Sequence, residues 1–129
     1  MKNLVKYLIV VMITSFVLLS CKKYEMTGCK CIHTDNEGNF LYVCGNTDVI
    51  APYQVSEVMF PNPAQNFIHL EFRSSEEKTV TIKKKMGKEL YRKTTYQDLL
   101  IDIGDFPVGK YVLTVDYGDT KSKWCLFKE

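Results

Sequence analysis

Histidine is scarce in this chain of 129 residues, with only His33 and His69, and no Gly-x-Ser-x-Gly, His-Glu-x-x-His or phosphate-loop pattern occurs. Acyl-transfer, zinc-hydrolytic and nucleotide chemistry therefore lack the residues that usually carry them, and a non-catalytic protein without a cofactor is expected. A helical period of useful length is also missing, which argues against helical fold classes. Beyond residue 20 neither sign of charge is in excess. The first 20 residues hold Lys2 and Lys6 and no acid, and without them 15 basic residues face 15 acidic ones. Nucleic acid is not an expected partner, because binding there rests on surplus Lys and Arg neutralising phosphates. The triplet Lys83-Lys84-Lys85 reads as a solvated strand end or turn.

The N-terminus is positive and short, and it runs into the apolar or small stretch 8–19 before Ser20-Cys21-Lys22-Lys23. That layout is a signal peptide over residues 1–20, since a spanning helix needs about 20 apolar residues. Leu18-Leu19-Ser20-Cys21 resembles the lipobox of bacterial lipoproteins. The resemblance implies cleavage between Ser20 and Cys21, diacylglycerol on the Cys21 thiol and acylation of the new amino group. Two or three buried chains hold a protein durably, because each methylene contributes about 0.8 kcal/mol. By the sorting rule known for some lipoproteins, Lys22 in place of Asp favours the outer membrane; the leaflet, periplasmic or surface-facing, stays open.

Beyond Cys21 lie Cys29, Cys31, Cys44 and Cys125, an even set in a chain sent out of the reducing cytosol, so disulfides are the first reading. Residues 27–33 and 39–44 flank Asp35-Asn36-Glu37-Gly38 and predict a β-hairpin with a four-residue loop. With Thr34 facing Asn39, the register sets Cys29 opposite Cys44, close enough to bridge. Cys31 and Cys125 are then left as thiols or joined to each other. A zinc site of Cys29, Cys31, His33 and Cys44 is disfavoured: on an extended strand Cys29 and His33 lie about 13 Å apart, too far for ligands at about 2.0–2.3 Å from one metal. A redox site is disfavoured too, since no Cys-x-x-Cys occurs.

After a connector ending at residue 56, the chain becomes a series of short strands. Ile68, Leu70 and Phe72 alternate with His69 and Glu71, and Val80 and Ile82 with Thr79 and Thr81. Runs at 58–60, 89–95, 99–103, 110–117 and 121–127 complete seven strands, separated by turns rich in Gly, Pro and Asp. The expectation is all-β, a small immunoglobulin-like antiparallel sandwich preceded by the cysteine hairpin. The domains would be a signal peptide at 1–20, an anchored segment at 21–56 and the sandwich at 57–129.

Residues 57–129 resemble the C-terminal sorting domain of type IX secretion. The likeness rests on an apolar strand closed by Pro61-Asn62-Pro63, on Ile101-Asp102-Ile103, and on the turn Pro107-Val108-Gly109 leading into a strand with Tyr111. Lys83-Lys84-Lys85 depart from the family pattern, so that strand end is expected to bend or pair differently. Asp102 reads as the solvent-facing member of a strand and Asp105 as a turn residue rather than metal ligands.

Two functions follow. The first is a lipid-anchored, non-catalytic β-sandwich that binds or packs against an envelope protein. The second is a type IX cargo that carries its sorting signal at the C-terminus and meets that machinery. The first ranks higher here, because residues 21–56 are a small cargo already held by lipid. Intact-mass analysis of membrane-extracted protein is expected to give a chain beginning at a lipidated Cys21; a retained Met1 or an unmodified Cys21 would overturn the lipobox reading.

Overall fold

The computed structural model describes residues 29–43, 55–84 and 86–129. Ser20, Cys21 and Cys44 lie outside the described residues. Among those described, nine strands form three antiparallel sheets. The hairpin is β1 (Ile32–Thr34) and β2 (Phe40–Val43). β3 (Glu57–Phe60), β4 (Phe67–Phe72) and β7 (Leu99–Asp102) make a sheet ordered β3-β4-β7. β5 (Lys78–Lys84), β6 (Glu89–Thr95), β8 (Gly109–Asp116) and β9 (Lys121–Lys128) make the other, ordered β6-β5-β8-β9.

Alternation dictates this arrangement. Ile68 and Leu70 on β4 and Ile101 on β7 share one buried cluster with Val80 and Ile82 on β5, Leu113 and Val115 on β8, and Trp124 and Leu126 on β9. Each of these side chains is at most 1% exposed, so the two sheets close over a single core. The chain crosses from one sheet to the other between β4 and β5, between β6 and β7 and between β7 and β8, which is the connectivity of an immunoglobulin-like sandwich. The seven strands expected from 57 onward are present. The ladder between β5 and β6 is interrupted between Ile82 and Lys83, where the lysine run departs from the family pattern. β6 is an outer strand of mostly exposed residues, and charge plus a bulge discourages further pairing there.

The hairpin forms, but in a different register. Thr34 faces Phe40 rather than Asn39, and Ile32 faces Val43, with an irregularity between His33 and Thr34. Asp35 is the reason. Its Oδ1 accepts from the amides of Glu37 and Asn39, both at 2.9 Å, and its Oδ2 accepts from Asn39 Nδ2 at 3.0 Å, drawing Asn39 into the loop.

The expected Cys29–Cys44 bridge is overturned as well. Cys29 is joined to Cys125 across 96 positions of sequence, with Cα atoms 5.5 Å apart. Cys31, the alternative partner for Cys125, is buried beside them with Phe127. The cause is that residues 29–31 precede the hairpin and pair with the edge of β9. Lys30 N donates to Lys123 O and Cys125 N donates to Lys30 O, both at 2.9 Å, in a parallel bridge. Ile32 then enters the main core, fully buried.

Asn62 holds this corner together. Its Nδ2 donates to Ile32 O and to Cys125 O, both at 2.8 Å, and its Oδ1 accepts from Phe127 N at 3.0 Å. Its backbone exchanges hydrogen bonds with Thr34 at 3.0 and 3.2 Å. Three segments distant in sequence thus meet on one buried amide. Asn62→Ala is expected to strand two carbonyls and an amide proton and to destabilise the fold by about 3 kcal/mol or more, measurable by denaturant unfolding. A loss below about 0.5 kcal/mol, the range of ordinary surface substitutions, would contradict this role.

Candidate functional site

The family-like residues turn out to be chiefly builders of the fold. Asp102 is exposed, and its Oδ1 accepts from Gly104 N at 2.8 Å, capping the turn after β7. Tyr111 is buried on β8 and its hydroxyl donates back to Pro107 O. A tyrosine near the start of this strand that hydrogen-bonds to upstream backbone is the tyrosine corner of immunoglobulin-like sandwiches. Burial raises the Tyr111 hydroxyl pKa, keeping it protonated to donate. Gly109, at φ +153°, starts β8 in a conformation that side-chain-bearing residues rarely adopt. Pro61, Asn62 and Pro63 form the corner between β3, the hairpin and β9. Pro61 and Pro63 lie beside Phe67, whose strand partner is Asp102, whereas Asn62 and Tyr111 are buried.

The strongest polar cluster is one that sequence reasoning missed. Glu57 begins β3 and is fully buried. Its Oε1 accepts from Trp124 Nε1 at 2.7 Å and from the Ser122 hydroxyl, and its Oε2 accepts from the Tyr117 hydroxyl. Burial, and then the hydrogen bond and charge of Glu57, push the Tyr117 hydroxyl far above its ordinary pKa, so it stays a donor. Lys30 adds a positive charge at one remove, its Nζ donating to Ser122 Oγ at 3.1 Å and lying 5.9 Å from the Trp124 ring centre. Carboxylate, hydroxyls and indole are mutually satisfied, so the cluster is a clasp between the sheets rather than a reacting centre. Its one legible signal is an acid placed two positions before the core residue Met59, on the same face.

The outer side of the β3-β4-β7 sheet exposes a row of apolar and aromatic side chains. Phe67 is 49% exposed and Leu100 61% exposed, with exposed His69 paired directly opposite Leu100. His69 stacks on Phe60 at 5.0 Å between ring centres. Phe60 itself is covered by the hairpin loop: a Cβ on Gly38 would sit 3.2 Å from its ring, at a φ of +87°. Beside this row lies a groove of about 490 Å³ lined by Pro61, Pro63, Asn66, Phe67, His69 and Glu129 among others. Apolar area next to amide and carboxylate groups is the material of protein recognition. Asn66 and Glu129 carried no sequence signal, being ordinary turn and terminal residues.

Seven strands over one core, closed by a tyrosine corner, define the class as a small immunoglobulin-like sandwich module. Residues 58–127 match the family model of the secretion system C-terminal sorting domain, and the chain belongs to that family. No curated protein matches it. Membership implies a secreted or cell-envelope protein that interacts with the type IX secretion machinery.

Glu57→Ala would leave the donors of Tyr117, Ser122 and Trp124 buried without their acceptor, and unfolding free energy is expected to fall by about 3 kcal/mol or more. Equilibrium denaturation of the variant beside the parent checks this. An unchanged midpoint would show that the clasp does not hold the sheets.

Proposed function

We propose that the chain is a non-catalytic cargo of type IX secretion and that its C-terminal sandwich is the signal that the machinery reads. The match over residues 58–127 carries this reading. It reverses the order reached from sequence, where the lipid-anchored module stood first because so little chain precedes the sandwich. The fold is consistent with a signal recognised as a folded surface: the motif residues are spent on turns and corners, which leaves the Phe67, His69 and Leu100 row for contact. A lipid anchor at Cys21 is a second reading, supported by Leu18-Leu19-Ser20-Cys21. The two are compatible, since anchoring concerns the start of the mature chain and sorting its end.

A periplasmic reporter fused to residues 29–129 is expected outside the cell in a strain with the working machinery and inside the periplasm in a strain without it. Retention in both strains would overturn the cargo reading. Phe67→Ser combined with Leu100→Ser removes exposed apolar area at a cost of about 0.5 kcal/mol each. It is expected to lower export by about tenfold or more if these residues anchor the contact, and unchanged export would move the recognised surface elsewhere.

A further inference from the structure

We infer that the segment preceding the connector is a structural strand of the sorting domain itself, and that cutting the connector does not release the domain from it. Connectors ahead of a domain are ordinary sites of proteolysis, so a cut within residues 50–54 would normally separate what lies on either side. Here three kinds of bond cross that boundary. The first is covalent, the Cys29–Cys125 disulfide. The second is the β-bridge of Lys30 to Trp124, which adds residues 29–31 to the free edge of β9. The third is apolar and polar burial: Ile32 is fully buried in the shared core, and Asn62 spends its side-chain amide on Ile32 O and Cys125 O.

The edge of β9 shows what the strap replaces. Residues 29–31 cover it at 123–125, and Ala64 continues the cover at 127–129, donating to Phe127 O and accepting from Glu129 N, both at 2.8 Å. Remove the strap and the first half of that edge opens, the core loses Ile32, and the Asn62 Nδ2 loses one of its two acceptors. An exposed edge of this kind is a template for pairing with another strand. The strap is therefore the domain's own edge protection, tied by sulfur to the strand that it protects. Whatever is attached ahead of residue 29 stays with the domain after a cut in the connector. This goes beyond the proposed function, and it stands on the disulfide and strand contacts whether or not the chain is exported.

The test inserts a protease recognition sequence within residues 50–54 of the full chain and cleaves the oxidised, folded protein. The two pieces are expected to run as one band in denaturing gels without reductant. Two bands should appear after a dithiol reduces the bridge, the dithiol closing to its own disulfide as Cys29 and Cys125 become thiols. Two bands without reductant would overturn the covalent tie. The strand contribution is read separately, on a cleaved Cys29→Ser, Cys125→Ser variant under native conditions. Its pieces are expected to co-elute in size exclusion, and adding Ile32→Ala should weaken their association by about tenfold or more. Pieces that part at once in this double-serine form would show that the strap is held by sulfur alone and would overturn its role as a strand of the domain.

Discussion

A carboxylate buried between two sheets sets the geometry of this protein. Taking Glu57 out of water costs several kcal/mol unless its oxygens are matched by donors. Those donors come from Tyr117, Ser122 and Trp124, in or just after the two strands of the opposite sheet that form its β8–β9 ladder. Because the match is directional, it fixes where β3 lies along β9 as well as how far apart the sheets sit. Asn62, at the other end of the same short segment, repeats the device with an amide. A four-residue strand is thereby held at both ends by polar groups, while Met59 between them packs into the core.

That clasping explains why so much of the family-like pattern is spent on backbone needs of the fold. Pro-Asn-Pro, the aspartate after an apolar residue and the tyrosine after the turn each close a backbone need: a buried corner, a turn amide, an upstream carbonyl. Such residues make the shape that a partner meets. Under the proposed reading, the contact itself falls to exposed side chains such as Phe67 and Leu100 on the outer face.

The strands were legible because period-two alternation reports which face is buried, and β4, β5, β7 and β8 alternate cleanly. The turns were legible because Gly, Pro and Asp concentrate there. Register was not. Placing Asn39 opposite Thr34 counted it as a strand residue, whereas the Asp35 carboxylate binds it into the loop. The disulfide was misread for a related reason. Pairing Cys29 with Cys44 assumes that a hairpin is its own neighbourhood, but residues 29–31 lie along β9, and no local pattern announces a partner 96 positions away. Glu57 was passed over because an acid at the start of a strand ordinarily faces water, and only the distant donors make its burial tolerable.

The long reach of these contacts also orders events in time. Cys29 is joined to a residue 96 positions later, and Glu57 and Asn62 close on partners 60 or more positions downstream. Contacts so distant in sequence carry a large loop-closure cost, and they form late. The disulfide, the Ser122 and Trp124 bonds to Glu57 and the Asn62 bonds to Cys125 and Phe127 cannot form before β9 is in place. The sandwich therefore stays open until that strand docks, and its covalent lock sets only where two thiols can be oxidised.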